Sequence, residues 1–247
     1  MKIEIRENER IDDLEFKDYK IIQKSDGFCF GIDAVLLSDF AKDIRNDSIV
    51  LDLGTGTGIL SILLAGKTKL KKIYGIEIQE EVANMAQRSV KMNDLESKID
   101  IINIDLNNID SRFKENTFDA VVTNPPYKNQ NTGKKNENEY KYISRHETTA
   151  SLEKFIKTSF KMLKDKGFFY MVHRPERLAD IMYLLRENKL EPKSIRFVYS
   201  SYEKEPKLVL IKAVKNAKPF LKVEKPLFVY DEKGNYTDEI LKIYNKK

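Results

Sequence analysis

Ile49-Val50-Leu51-Asp52-Leu53-Gly54-Thr55-Gly56-Thr57-Gly58 is the stretch on which the reading of the chain turns. Ile49 to Leu53 is a short apolar run, the signature of a buried strand. Three glycines at alternate positions then end it. They permit close backbone approach and unusual φ angles, and the apolar stretch Ile59 to Gly66 restarts as a helix whose N-terminus offers free amides. Strand, glycine turn and helix at this spacing open an α/β unit. A tight strand–helix turn with no ligand is the plainer alternative.

Outward from this unit the alternation repeats. Lys72 to Glu77 is a second strand and about Glu80 to Asn93 a helix, Ile99 to Ile104 a third strand and 118–123 a fourth. A polar segment, 128–150, precedes a helix of about 151–164, a strand from Gly167 to Val172, and a helix from Pro175 to Asn188 with proline in its first turn. Ser194 to Tyr202 and Lys207 to Val214 read as antiparallel neighbours joined near Glu205-Pro206. Alternation of this kind predicts α/β architecture: a mostly parallel seven-stranded sheet, helices on both faces, and an antiparallel C-terminal strand pair. Upstream, residues 1–20 are polar and read as a lead-in, with a short strand at Lys20 to Gln23. Asp33 reads as the cap of a helix running to about Lys42. The tail from Pro226 to Tyr236 reads as a hairpin turning at Lys233-Gly234, followed by a helix from Asp238 to Tyr244. The expected division is 1–27 lead-in, 28–225 main domain, and 226–247 appendage.

Composition bounds the function. At 247 residues, with 41% hydrophobic and 34% charged content, the chain suits one domain with a real core. Mean hydropathy is −0.52, and no apolar run approaches a bilayer span. Cys29 is the single cysteine, so no intramolecular disulfide forms, and with only His146 and His173 beside it a Cys/His zinc cluster is excluded. These features lead us to expect a cytoplasmic protein without metal. Residues 191–225 hold nine Lys/Arg against four Asp/Glu, a local excess of +5 that equals the charge of the whole chain. Such an excess suits a nucleic-acid footprint, or simply a solvated lysine face. The segment 128–150 adds Lys128, Lys134, Lys135, Lys141 and Arg145, diluted by three glutamates.

In open α/β sheets, ligands bind outside the strands' carboxyl ends, and polar residues sit at those ends in regular fashion. Asp52 stands at the end of the first strand and Glu77 at the end of the second, while Asp105 follows the third and Asn124 the fourth. The glycine order departs from the dinucleotide fingerprint G-x-G-x-x-G, because Ile59 takes the third glycine's place. A carboxylate two residues before Gly54 opposes a pyrophosphate and suits a cationic amino-acid end. Glu77 can accept bonds from two ribose hydroxyls, and Asp105 one from an adenine amine. Adenosine joined to a cationic amino acid describes S-adenosyl-L-methionine. The fourth strand ends in Asn124-Pro125-Pro126-Tyr127, where the prolines stop the ladder. An amide, a proline carbonyl and an aromatic ring are thereby presented together and can hold a flat, amine-bearing ring; a strand-ending turn with a surface tyrosine is the alternative.

With these residues in view, the chain resembles the class I S-adenosylmethionine-dependent methyltransferases. D-L-G-T-G-T-G is similar to their glycine-rich first motif, and N-P-P-Y to the motif of members that methylate a nitrogen conjugated to a ring or carbonyl. The resemblance runs from about Phe28 to Val214 and implies a Rossmann-like fold. It implies cofactor contacts from Phe30, Gly31, Asp33, Asp52, Gly54, Gly56, Gly58, Glu77, Ile78, Asp105 and Asn124, with Asn124, Pro125 and Tyr127 at the reaction. Phe30 to Leu37, His173 to Leu178 and the Pro226–Tyr236 tail resemble a bacterial subgroup that includes the enzyme N6-methylating adenosine 37 of a valine tRNA. Ile32 departs from it, where threonine is expected. The resemblance thus implies N6-methylation of an adenine in tRNA, with tRNA as partner along 191–225 and 128–150. Another RNA base, a protein glutamine, or a non-catalytic RNA-binding role are the alternatives, and a dehydrogenase is disfavoured by the glycine spacing. His146 and His173 are expected to be surface or structural.

Overall fold

The computed structural model describes residues 3–25, 31–127 and 152–246. The strands are β1 Glu9–Asp13, β2 Lys20–Lys24, β3 Ile49–Leu53, β4 Lys72–Glu77, β5 Ile99–Asn103, β6 Phe118–Thr123, β7 Leu163–His173, β8 Leu190–Tyr199, β9 Pro206–Lys215, β10 Lys222–Val223 and β11 Leu227–Phe228. The helices are α1 Ile32–Phe40, α2 Ile59–Lys67, α3 Glu80–Met92, α4 Leu152–Met162, α5 Leu178–Glu187 and α6 Asp238–Ile243. Short 3-10 turns cover Leu106–Ser111 and Pro175–Arg177.

Strand side chains alternate between two cores, as a period of two demands. Val50, Ala120 and Val122 face one core with α1, α2 and α3, while Leu51, Leu53 and Val121 face the other with α4 and α5. Every residue of α2 from Ile59 to Gly66 is buried, which explains its all-round apolar sequence. The main sheet runs β10-β8-β9-β7-β6-β3-β4-β5, with β11 added on β8. Pairings are parallel except those of β9 with β7 and β8. The expected seven-stranded sheet is therefore present, and two two-residue strands extend it to nine. Strand order reverses between β3 and β6, the switch point where open α/β sheets bind ligands.

Three local expectations are corrected. Besides the expected strand, now β2, the lead-in contains a second one: β1 pairs antiparallel with β2, and Ile22 packs on Val82 and Met85 of α3. Arg88 clamps it through Glu9 at 2.5 Å, which holds that carboxyl below its ordinary range. Helix α4 stops at Met162 and β7 starts at once, Leu163 pairing with Phe118 before the strand bulges and resumes at Phe168. Asp33 is not a helix cap. Gly31 occupies that position, and Asp33 lies in the first turn of α1. The tail turns as expected, with Gly234 at φ +82° and Tyr230 bridged to Tyr236. It is also docked, because Leu227, Val229, Ile240 and Ile243 join the core beside α1. Among the described residues, no helix is long and apolar enough to cross a membrane.

Candidate active site

The glycine turn is built by positive φ angles at Gly54 (71°), Gly56 (58°) and Gly58 (89°), a region that favours glycine. The amides of Gly54 and Thr55 both donate to the Ile76 carbonyl at 2.9 Å, which folds the turn over the end of β4. Added bulk at Gly58 would meet the Ala86 Cβ at 3.3 Å, so the turn sits close against α3.

Asp52 is 1% exposed. Its Oδ2 accepts from the Thr55 hydroxyl at 2.6 Å and the Ser61 hydroxyl at 2.8 Å, whereas its Oδ1 is buried without a partner among the described residues. Burial lifts the carboxyl to about 6, against the two hydroxyl bonds that oppose the rise. A buried carboxylate oxygen without a donor is costly, and a cation placed there relieves it. Glu77, one strand away, accepts the Gly56 amide at 3.1 Å and the Gln79 amide at 2.9 Å, and burial raises its pKa too. Each of its oxygens keeps acceptor capacity. Ile78 beside it is 38% exposed, an apolar side chain standing open at a strand end. Asp105 spends one oxygen on the Asn107 amide at 2.7 Å, opening the 3-10 turn.

On the other side of the switch point, β6 ends in Thr123 and the chain turns through half-buried Asn124 and buried Pro125. The Tyr127 hydroxyl lies 2.6 Å from Asn124 Oδ1 and 2.5 Å from Asp33 Oδ2. Burial and the Asp33 carboxylate push the phenol well above its ordinary value, so it stays protonated. The Tyr127 ring meets the His173 ring edge-on at 5.2 Å, and the Arg174 guanidinium stands 5.1 Å from its centroid. His173 is fully buried and accepts the Arg174 amide at Nδ1, which leaves Nε2 as the protonated nitrogen. Burial lowers its pKa to about 4. Arg174 also donates to the Lys207 carbonyl at 3.1 Å, tying the β8–β9 turn to the Asn124 side.

The structure thus gathers Asp52, the three glycines, Glu77, Ile78 and Asp105 along one sheet edge, and brings Asp33 to Asn124 and Tyr127. Phe30, His146 and the segment 128–150 lie outside the described residues. A family model described as a methyltransferase small domain matches residues 31–187. The chain belongs to that family.

Relatives and folds agree with this membership. The tRNA1(Val) (adenine(37)-N6)-methyltransferase of Porphyromonas gingivalis W83 is 28% identical over 204 residues, covering 81% of this chain and 79% of the relative. The protein of the same name from Haemophilus influenzae Rd is 24% identical, covering 92% and 94%. Among solved structures, a predicted O-methyltransferase from Agrobacterium tumefaciens superposes with a TM-score of 0.70 at 20% identity, over 86% of this chain and 95% of that one. The T. thermophilus 16S rRNA N2 G1207 methyltransferase, in complex with AdoMet and guanosine, gives 0.61 at 18%, over 85% and 51%. These likenesses establish the class I methyltransferase fold.

Within this methyltransferase domain, sequence reading passed over Thr55, Ser61 and Gly75. The two hydroxyls anchor Asp52, and Gly75 pairs with it across β3 and β4. A hydroxyl three and nine residues downstream of the acid was the available signal. Part of the basic excess is internal. Lys215 is buried and donates to Asn116, Phe160 and Leu163, Lys212 pairs with Asp43, and Arg196 pairs with Glu239. Lys204 and Lys207 remain exposed at the carboxyl edge of the sheet.

Proposed function

We propose that this methyltransferase uses S-adenosyl-L-methionine to methylate N6 of an adenine in RNA, with adenosine 37 of a valine tRNA as the target. The observation that carries the reading is the pairing, at one switch point, of a buried carboxylate whose Oδ1, on Asp52, has no donor among the described residues with the Asn124-Pro125 turn. The names of the relatives supply the RNA and the position.

The residues present fit the cofactor. Asp52 would hold the ammonium, Glu77 the ribose hydroxyls, and Asp105 the adenine amine, with Ile78 against the adenine face and the Gly54–Gly58 turn along the chain between them. When bound, S-adenosylmethionine supplies an electrophilic sulfonium methyl. The protein's work is on the acceptor. An adenine amino lone pair is delocalised into its ring and attacks poorly. The Asn124 side-chain oxygen and the Pro125 carbonyl each accept one N–H, which localises the lone pair and aims it. Tyr127 supplies an aromatic surface for the base. Alignment and contacts that strengthen as the nitrogen becomes positive give the rate. The proton leaves readily after transfer, so no strong general base is needed.

The target base must leave its stack, at a cost of a few kcal/mol that is smaller in a single-stranded loop. The exposed Tyr202 and Lys204 on the β8–β9 turn and Lys207 at the start of β9 form the RNA track we assign, since Arg174 joins Lys207 to Tyr127. The tyrosine continues into a tilted stack with Phe228 and Tyr199. We place the reaction in the cytoplasm. The test is tritiated methyl transfer into total RNA from a strain lacking the gene, with the nucleoside mapped. Label in N6-methyladenosine at position 37 supports the reading; label in a guanine, or none in the RNA, overturns it.

A further inference from the structure

The Tyr127 hydroxyl faces two acceptors with one proton. Asp33 Oδ2 lies 2.5 Å away and Asn124 Oδ1 2.6 Å away. If the proton went to Asn124, the Asp33 carboxylate would meet a phenol lone pair at bonding distance with nothing between them. Given to Asp33, it makes a charge-assisted bond, the stronger kind. The phenol oxygen then becomes an acceptor toward Asn124. The two ends of a side-chain amide have the same shape and differ in protons, so the hydrogen-bond network decides which end faces where. Only the NH2 end satisfies all three groups.

We infer that Asp33, acting through the Tyr127 hydroxyl, turns the Asn124 amide so that its NH2 is spent on Tyr127 and its oxygen is left for the incoming amine. Asp33 is then a positioning residue, joined to Asn124 through Tyr127, which lies 94 residues along the chain from Asp33. The phenol's elevated pKa keeps the relay protonated through neutral pH, and the edge contact with His173 and the Arg174 guanidinium holds the ring in place. The relay also gives Asp33 a task other than a helix cap or a direct cofactor contact. The inference rests on Asn124 being the acceptor of the target amine.

The experiment has two arms. In the first, the 15N-labelled protein is studied without RNA, and the Asn124 side-chain amide is identified by its loss in Asn124→Ala. One of its protons is expected downfield and protected from exchange about tenfold relative to exposed asparagines, and both features are lost in Tyr127→Phe and in Asp33→Ala. An ordinary amide signal, unmoved by Tyr127→Phe, overturns the inference whether or not any RNA is methylated. The second arm measures methyl transfer. Tyr127→Phe and Asp33→Ala should each lower kcat about tenfold, with the S-adenosylmethionine dissociation constant kept. The double variant should be no worse than either single one, and Asp33→Asn, still an acceptor, should recover most of the rate. Asp33→Ala that weakens cofactor binding at unchanged kcat overturns the relay and assigns Asp33 to the cofactor. A wild-type protein that methylates no RNA counts against the proposed function, and the first arm still decides the amide's orientation.

Discussion

The Thr123 hydroxyl donates a 2.8 Å hydrogen bond to the Leu53 carbonyl, joining the strand that ends at Asn124 to the strand that ends at Gly54. The two halves of the site are thus pinned one residue before each begins. Thr123→Val keeps the shape and removes the donor. It is expected to cost about 1 kcal/mol, read as a lower urea midpoint at unchanged slope. A midpoint equal to wild type would show that the strand ladder alone satisfies the carbonyl.

Two buried groups pull acid stability in opposite directions. Burial lifts Asp52 from 3.8 to about 6, so its contribution is fully present below pH 3.8 and lost as pH rises through 6. Burial lowers His173 from 6.5 to about 4, so its contribution is full above pH 6.5 and lost as pH falls through 4. Each shift corresponds to about 3 kcal/mol and the two nearly cancel; Glu77, also raised by burial, adds to the Asp52 side. Asp52→Asn should unmask His173, giving a protein more stable at pH 7 that loses stability on acidification. His173→Asn should show the reverse slope. Urea titrations from pH 4 to 7 check both, and an Asp52→Asn profile with the same slope as wild type would contradict the assignment.

Gly75 keeps space open behind the Asp52 hydroxyl network. A Cβ there would lie 2.7 Å from Ile101 Cδ1 and 3.0 Å from the Thr55 side chain. Gly75→Ala should cost about 1–3 kcal/mol and, by pushing Thr55 off Asp52, weaken S-adenosylmethionine binding. Thermal unfolding and calorimetry read the two effects separately. If only stability drops, the Ile101 methyl has yielded and Thr55 has stayed.

Asn124→Ala removes the acceptor oxygen and leaves the Asp52–Glu77 side untouched. Methyl transfer is expected to fall by at least about 10²-fold while calorimetric affinity for S-adenosylmethionine stays within about twofold of wild type. Retained turnover would remove Asn124 from the reaction.

Charge reversal at Lys204 and Lys207 should weaken RNA binding and flatten its salt dependence by about one unit of slope per residue. Reversal at Lys212 should instead destabilise the fold, because that ammonium is paired with Asp43 and stands 4.6 Å from the Phe168 ring centroid. Filter binding at several salt concentrations separates the cases. An unchanged slope for the Lys204 and Lys207 variants would move the footprint elsewhere.

By itself the sequence determined the parts whose physics is local. Short apolar runs, ended by the glycine turn at Gly54 or by the prolines after Asn124, placed β3, α2, β4 and β6 within a residue or so, because burial on two faces demands continuous apolar side chains wherever the strand sits. The order of Asp52, Glu77 and Asp105 at strand ends was legible for the same reason, as each acid lies within a residue or two of the end of its own apolar run. Tertiary structure decided what depends on partners far along the chain. The charged run Glu9–Asp13 becomes a strand because β2 satisfies its backbone, which side-chain polarity does not report. The insertion of β9 between β7 and β8, and the withdrawal of Lys212 and Lys215 from the basic surface, follow from packing that no local window contains. So does the meeting of Asp33 with Tyr127: their spacing carries no periodicity, and only the docking of α1 at the sheet's carboxyl edge brings a carboxylate to a single phenol proton.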